Sequence, residues 1–219
     1  MQKIEYTDYE LDPEFKVWRQ KELIVTTDYG DHYLHKQYKD TPEFLIKASE
    51  LSALRVGFIE QFIPEQSSLV DIGCGLGSFV RVAKFVYDAH GYDPFTYSRS
   101  MIVPVDRIHV LGKDWDVMTF FDTLEHFPNI REARVLMNCS KFIVVCVPEC
   151  HFPNNRHWFM NWKHRRPGEH LWHFNRESLV NFMRYCGFKL ITFSNFEDKI
   201  RGPLNSYLPN ILTGLFERY

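Results

Sequence analysis

The segment Val70-Asp71-Ile72-Gly73-Cys74-Gly75-Leu76-Gly77 restricts this chain more than any other. A β-branched apolar run ends in an acid, and glycine then recurs at every second position. Glycine tolerates the backbone of a sharp turn, and its missing side chain lets main chain and ligand approach closely. Ser78-Phe79-Val80-Arg81-Val82-Ala83 follows with the character of a helix start, whose first N–H groups face the same space. A second strand, Ala89-His90-Gly91-Tyr92-Asp93, ends in an acid eighteen residues after Gly75. An acid at the tip of the second strand of a βαβ unit is placed to accept hydrogen bonds from a ribose diol. The spacing D-x-G-x-G-x-G, in place of G-x-G-x-x-G, favours a nucleoside that carries no pyrophosphate.

The rest of the chain continues the alternation. Thr41-Pro42-Glu43 opens a helix with a capping threonine, a first-turn proline and an acid at the positive end of the dipole. Apolar residues then recur at three and four from Phe44 through Ala48, Leu51, Leu54 and Phe58 to Ile63-Pro64. Strands are expected at 68–72, 88–93, 116–121, 141–147 and 188–195, and helices at 77–87, 130–138 and 175–186. Asn175 caps the last helix and Gly187 stops it. Short turns and continuous apolar strands predict an α/β, doubly wound, mostly parallel sheet flanked by helices. Residues 1–41, with Tyr6, Tyr9, Phe15, Trp18, Tyr29, Tyr33 and Tyr38, read as an arm or lid over the cleft. A structural strap or dimer contact is the plain alternative. The main domain spans 42–200, with 148–173 as one long irregular loop. Residues 201–219 read as a tail packed on the domain, with a short helix carrying Leu212, Leu215 and Phe216.

These motifs resemble the class I S-adenosylmethionine-dependent methyltransferases. Trp115 to Phe127, with Asp122-Thr123-Leu124-Glu125-His126, is similar to the fourth-strand segment of the small-molecule branch, where x-L-E-H is common. Lys141 to Pro148 looks like the fifth strand, and Pro167-Gly168-Glu169-His170-Leu171-Trp172-His173-Phe174 like the segment before the last large helix. The likeness covers about residues 44–195. It implies a Rossmann-like sheet of the seven-stranded type and S-adenosylmethionine as cofactor, with S-adenosylhomocysteine as product. It also implies that Asp71, Gly73, Cys74, Gly75 and Gly77 surround the methionine end and that Asp93 and Pro94 meet the ribose. Phe121, Asp122 and Leu124 would flank the cofactor beside the fourth strand. The interval from Asp93 to Trp115 is short for a full third strand, which leaves Asp106 and Asp114 as candidates for the adenine contact.

His126 follows the C-terminal end of the fourth strand, where open α/β sheets place ligands. Its ordinary pKa near 6.5 suits a general base. Glu125, His170, His173 and Arg165 are the candidate substrate contacts. No metal is assigned. The D-x-x-E-H spacing of Asp122, Glu125 and His126, with a later histidine, nevertheless resembles the ligand set of RNA 3′-end 2′-O-methyltransferases and some quinone O-methyltransferases. A divalent Mg, Mn or Zn is therefore an alternative.

The net charge of −2 gives no global attraction to a polyanion, and no apolar run reaches the roughly 20 residues of a membrane span. The start of the chain is polar and acidic, unlike a signal peptide. The five cysteines lack paired spacing, so buried thiols in a reducing compartment, the cytoplasm, are expected. Lys163-His164-Arg165-Arg166, after the aromatic Trp158 to Trp162, suits an anionic substrate group, a single nucleic-acid strand or plain solvent. No [DNS]-P-P-[YFW] follows the fourth strand, and Glu149 separates Pro148 from Cys150, which opposes two known routes of base methylation. The expectation is methyl transfer to a hydroxyl, amine or carboxyl of a small-molecule acceptor by a monomer or homodimer, without membrane or nucleic-acid partners. Methylation of RNA or a nucleotide, metal-assisted, is one alternative, and a non-catalytic binding subunit is another.

Overall fold

The computed structural model describes residues 4–27, 29–30, 41–95 and 100–219. Two short strands, β1 (Tyr9–Leu11) and β2 (Trp18–Gln20), come first. Helix α1 (Pro42–Ile59) leads into β3 (Ser68–Ile72), α2 (Ser78–Ala83), β4 (Asp88–Tyr92) and α3 (Arg107–Leu111). Then come β5 (Trp115–Phe121), α4 (Arg131–Met137), β6 (Ser140–Pro148), α5 (Arg156–Asn161) and β7 (Trp172–His173). They are followed by α6 (Arg176–Tyr185), β8 (Phe188–Ser194), α7 (Asp198–Arg201) and β9 (Ile211–Arg218).

Six strands form the main sheet in the order β4-β3-β5-β6-β9-β8. The first four are parallel, and β9 runs antiparallel to both of its neighbours. Alternate side chains of the central strands enter two separate cores, which is why these strands are largely apolar. Met118, Phe120, Ile143 and Val145 pack with Leu136 and Phe182 on one face. Val117, Phe121, Val144 and Cys146 pack with Val56, Phe79 and Val80 on the other. The strand tips on β3, β4 and β5 therefore present Asp71, Asp93 and Asp122 along one edge of the sheet.

The structure departs from the sequence reading in four places. The helix expected at 77–87 ends at Ala83 and continues as a tight turn. The loop 148–173 contains α5 and β7, and β7 pairs with β2 to complete a small antiparallel sheet, β1-β2-β7. No third strand lies between Tyr92 and Trp115 among the described residues. There the chain instead folds back on the glycine turn: Met101 N–H donates to the Leu76 carbonyl at 2.7 Å and Val105 N–H to Gly91 at 2.8 Å. Finally, the tail is no surface helix. Its residues 211–218 form β9, seated between β6 and β8. Leu212, Leu215 and Phe216 have helical spacing, but Ile211 to Phe216 are all buried, and a strand buried on both faces carries no period-two signature.

Candidate active site

The glycine turn is built as its spacing demands. Gly73, Gly75 and Gly77 all have positive φ, at 75°, 52° and 80°. At Gly73 an added Cβ would lie 2.5 Å from the Thr123 side chain, and at Gly77 it would lie 2.4 Å from Ile102. Asp93 holds the turn from the neighbouring strand: its Oδ2 accepts from Gly75 N–H at 2.9 Å and its Oδ1 from Phe95 N–H at 2.9 Å. Asp71 is buried and accepts from Thr119 Oγ1 at 2.7 Å. Burial pushes its carboxyl up to about 7, against the pull of the Thr119 bond and Arg55.

Beside the turn opens a cleft of about 360 Å³, within the roughly 300–1,000 Å³ typical of small-molecule sites. Asp71, Gly73 and Cys74 line one wall, Ala48, Leu51 and Arg55 of α1 a second, and Phe121, Asp122 and His126 a third. Glu169, His170 and Arg166 close it from the segment after α5.

At the inner end four charged side chains interlock. Arg55 donates to Glu197 at 2.7 Å and to Asp122 at 3.2 Å, and Arg201 donates to Asp122 at 2.8 Å and to Glu197 at 3.0 Å. Burial alone would raise Asp122, but Arg201 and Arg55 outweigh it and hold the carboxyl at about 2. The Arg55 guanidinium also lies over the Phe121 ring, 4.1 Å from its centroid. Asp122 itself has φ 52°, an uncommon value for a non-glycine, at the end of β5 where the chain turns into the Leu124–His126 helical turn.

That turn delivers His126 to the cleft. Burial pushes its imidazole below the usual histidine range, opposed by the Glu169 and Asp122 carboxylates and a hydrogen bond to the Glu169 backbone. The Tyr29 hydroxyl lies 2.8 Å from His126 Nδ1. The rings of His126 and His170 meet edge-on with centroids 4.7 Å apart. Burial holds His170 well below its usual value, so it is neutral near pH 7. Glu125 is 1% exposed, neither carboxylate oxygen has a hydrogen-bond partner among the described residues, and burial raises it well above the usual carboxylate range. Ligand atoms of Glu125, His126 and His170 lie within 4.8 Å of one another, close enough to hold a metal ion. Asp122, Cys146 and Glu197 are similarly close, but the two arginines already consume both acids.

Several sequence candidates sit elsewhere. His173 is buried among the rings of Tyr9, Phe159 and Trp162, with burial lowering it to about 3. Arg165 turns away to the Tyr9 hydroxyl at 3.4 Å and the Met160 carbonyl at 3.3 Å. Leu124 is a core residue, and Pro94 is exposed beyond the tip of β4. Asp106 caps α3 by accepting from His109 N–H at 2.7 Å, and Asp114 is exposed. The basic run is divided: Arg166, paired with Glu169, and His164, bonded to Asn210 at 2.7 Å, both line the cleft, while Arg165 between them does not. Sequence reasoning missed Arg55, Glu197 and Arg201. Arg55 carried a signal, since it interrupts the stripe Ala48-Leu51-Ser52-Phe58-Ile59 on the buried side of α1. Glu197 and Arg201 carried only an ordinary i,i+4 spacing.

A sheet with this strand order, a glycine turn tied to an acid on the next strand and a cleft at the strand tips define the class I methyltransferase fold. The chain matches the methyltransferase domain family over residues 31–192, and it belongs to that family of S-adenosylmethionine-dependent enzymes. Among solved structures it is similar to magnesium protoporphyrin IX methyltransferase from Synechocystis PCC 6803 with bound S-adenosylhomocysteine. That match has 12% identity, covers 86% of this chain and 93% of the other, and has a TM-score of 0.54. A SAM-dependent methyltransferase from Archaeoglobus fulgidus matches at 16% identity over 85% and 99% of the two chains, TM-score 0.54. One from Mesorhizobium loti matches at 17% identity over 80% and 100%, TM-score 0.54. These identities speak for the fold alone. No curated protein matches the chain by sequence. No helix among the described residues is long and apolar enough to cross a membrane.

Proposed function

We propose that this enzyme methylates a hydroxyl, amine or carboxyl group of a small molecule, with His126 as the general base. The observation that carries the reading is that the glycine turn and a half-buried histidine, its pKa pushed down, open into the same cleft. The residues present fit the cofactor: Asp71, Gly73 and Cys74 line the cleft, and Asp93 stands at the tip of the adjacent strand, bonded to the turn at Gly75. Asp71 and the turn from Gly73 to Gly77 would hold the methionine end, and Asp93 the ribose diol.

When bound, S-adenosylmethionine would supply an electrophilic sulfonium methyl group and leave as S-adenosylhomocysteine. His126 takes the proton that the acceptor oxygen or nitrogen gives up. Its depressed pKa keeps the ring in the basic form near neutral pH. Arg55 and Arg201 fix Asp122 and so the shape of the inner wall, while His170 packs against the base and limits its rotation. Orientation of the two reactants in one enclosed space supplies most of the remaining rate. The small-molecule reading is supported by the cleft volume and by the Synechocystis neighbour, whose acceptor is magnesium protoporphyrin IX. All five cysteines are free thiols and four are buried, which supports a reducing compartment such as the cytoplasm.

Calorimetric titration with S-adenosylmethionine and S-adenosylhomocysteine tests the reading on wild type and Asp93→Ala. Asp93→Ala should weaken binding about 10- to 100-fold, the worth of hydrogen bonds to a charged group of about 1.5–3 kcal/mol. Absence of binding to wild type would sink it.

A further inference from the structure

Tyr29 reaches the cleft from the N-terminal segment, and its hydroxyl makes the bond to His126 Nδ1 described above. Its ring meets the imidazole edge-on at 5.8 Å and lies 5.5 Å from Phe95, two residues beyond Asp93. The phenol thus spans from the candidate base to the ribose side of the cleft. A neutral imidazole carries one proton. The bond to the Glu169 backbone favours the charged ring, so in that bond the ring is the donor. That leaves Nδ1 as the lone-pair nitrogen and the Tyr29 hydroxyl as donor to it. An acceptor hydroxyl must make this same bond before it can be deprotonated.

The segment that carries Tyr29 is docked just upstream. Thr26 N–H donates to the Gly168 carbonyl at 2.9 Å, and Gly168 N–H donates to Gln20 Oε1 at 2.8 Å. The fit at Gly168 is close: an added Cβ would lie 1.9 Å from Thr26 Oγ1. Glu169 and His170, which follow, line the cleft. Docking of residues 26–27 and closure of the cleft thus share one turn.

We propose that the Tyr29 side chain occupies the acceptor subsite, so that the enzyme takes an aromatic hydroxyl of phenol size and shape and Tyr29 must leave His126 to admit it. The proposal rests on the methyltransferase reading with His126 as base and names its substrate class. Phe95, tilted at 38° to the phenol, and the imidazole, edge-on to it, offer ring contacts that an aliphatic alcohol would forgo.

The test uses p-cresol, which is the tyrosine side chain as a free molecule. Wild type, Tyr29→Phe, Tyr29→Ala and Gly168→Ala are each saturated with S-adenosylhomocysteine and titrated with p-cresol and, separately, 4-methylcyclohexanol. Tyr29→Ala should bind p-cresol at least tenfold more tightly than wild type, and more tightly than 4-methylcyclohexanol. Gly168→Ala, which displaces Thr26 and leaves Tyr29 intact, should move in the same direction. Tyr29→Phe should resemble wild type, because its ring still fills the slot. Equal p-cresol affinity in wild type, Tyr29→Ala and Gly168→Ala, or a preference for the cyclohexanol, overturns the proposal. The heat of S-adenosylhomocysteine binding separates the two failures. If none of the four proteins binds it, the methyltransferase reading falls and this inference with it. If all bind it while p-cresol affinity is unchanged, only the acceptor assignment falls.

Discussion

On the glycine-turn wall of the cleft, polar contacts run from side chain to backbone over short spans: Asp93 holds Gly75, 18 residues away, and Phe95, two residues away. On the opposite wall they run from side chain to side chain over long ones. Arg55 meets Asp122 across 67 positions and Glu197 across 142, and Arg201 meets Asp122 across 79. The first wall is a property of one βαβ unit and is set once that unit folds. The second exists only when α1, the end of β5 and α7 have all docked. Each of its four charges is compensated by the others, so removing one exposes its partners to the full cost of burial.

The contrast can be broken or sharpened by substitution. His126→Gln removes the base and leaves the glycine wall untouched. Its kcat should fall by about 10²- to 10⁴-fold, with S-adenosylhomocysteine affinity within about twofold of wild type. A parallel loss of affinity would mean that the two walls are not independent. Glu197→Ala should act on the fold: it removes the buried carboxylate that two half-buried guanidinium groups share and should cost up to about 3 kcal/mol, read as a drop in Tm or in the denaturant midpoint. Gly77→Ala pushes a Cβ against Ile102 at a positive φ and should cost about 1–3 kcal/mol, mostly as weaker cofactor binding. The smallest effect is a displacement of the pH profile. His126 is active unprotonated and burial depresses its pKa, so activity is lost as pH falls through a midpoint below 6.5 and is level above it. An acid limb above 6.5 would assign the proton transfer to another group.

The same division decides what could be read before the structure was known. Val70 to Gly77 and Asp93 were legible because a turn with three positive-φ positions admits few residue types, and the strand spacing of a βαβ unit is nearly fixed. The x-L-E-H stretch was legible for a similar reason, since His126 is placed by a local turn. Arg55, Glu197 and Arg201 were not, because a partner 142 residues away leaves no mark near either residue. His173 and Arg165 misled because a histidine or arginine beside tryptophan has the same composition whether it faces a cleft or an aromatic core. β9 misled in another way: the apolar spacing of Leu212, Leu215 and Phe216 fits a helix, and only the open edges of β6 and β8 call for a strand.

That insertion has a consequence for a chain still being synthesised. β3 to β6 are complete once residue 148 has left the ribosome, and they can pair with one another in parallel. β8 follows 40 residues later, at 188, and its only sheet neighbour among the described residues is β9. Until residue 218 emerges, the nascent protein shows two unsatisfied strand edges, on β6 and on β8, with Phe188 and Phe216 still to be buried together in the core. The interval between residues 194 and 218 is therefore when these two edges are open to mispairing.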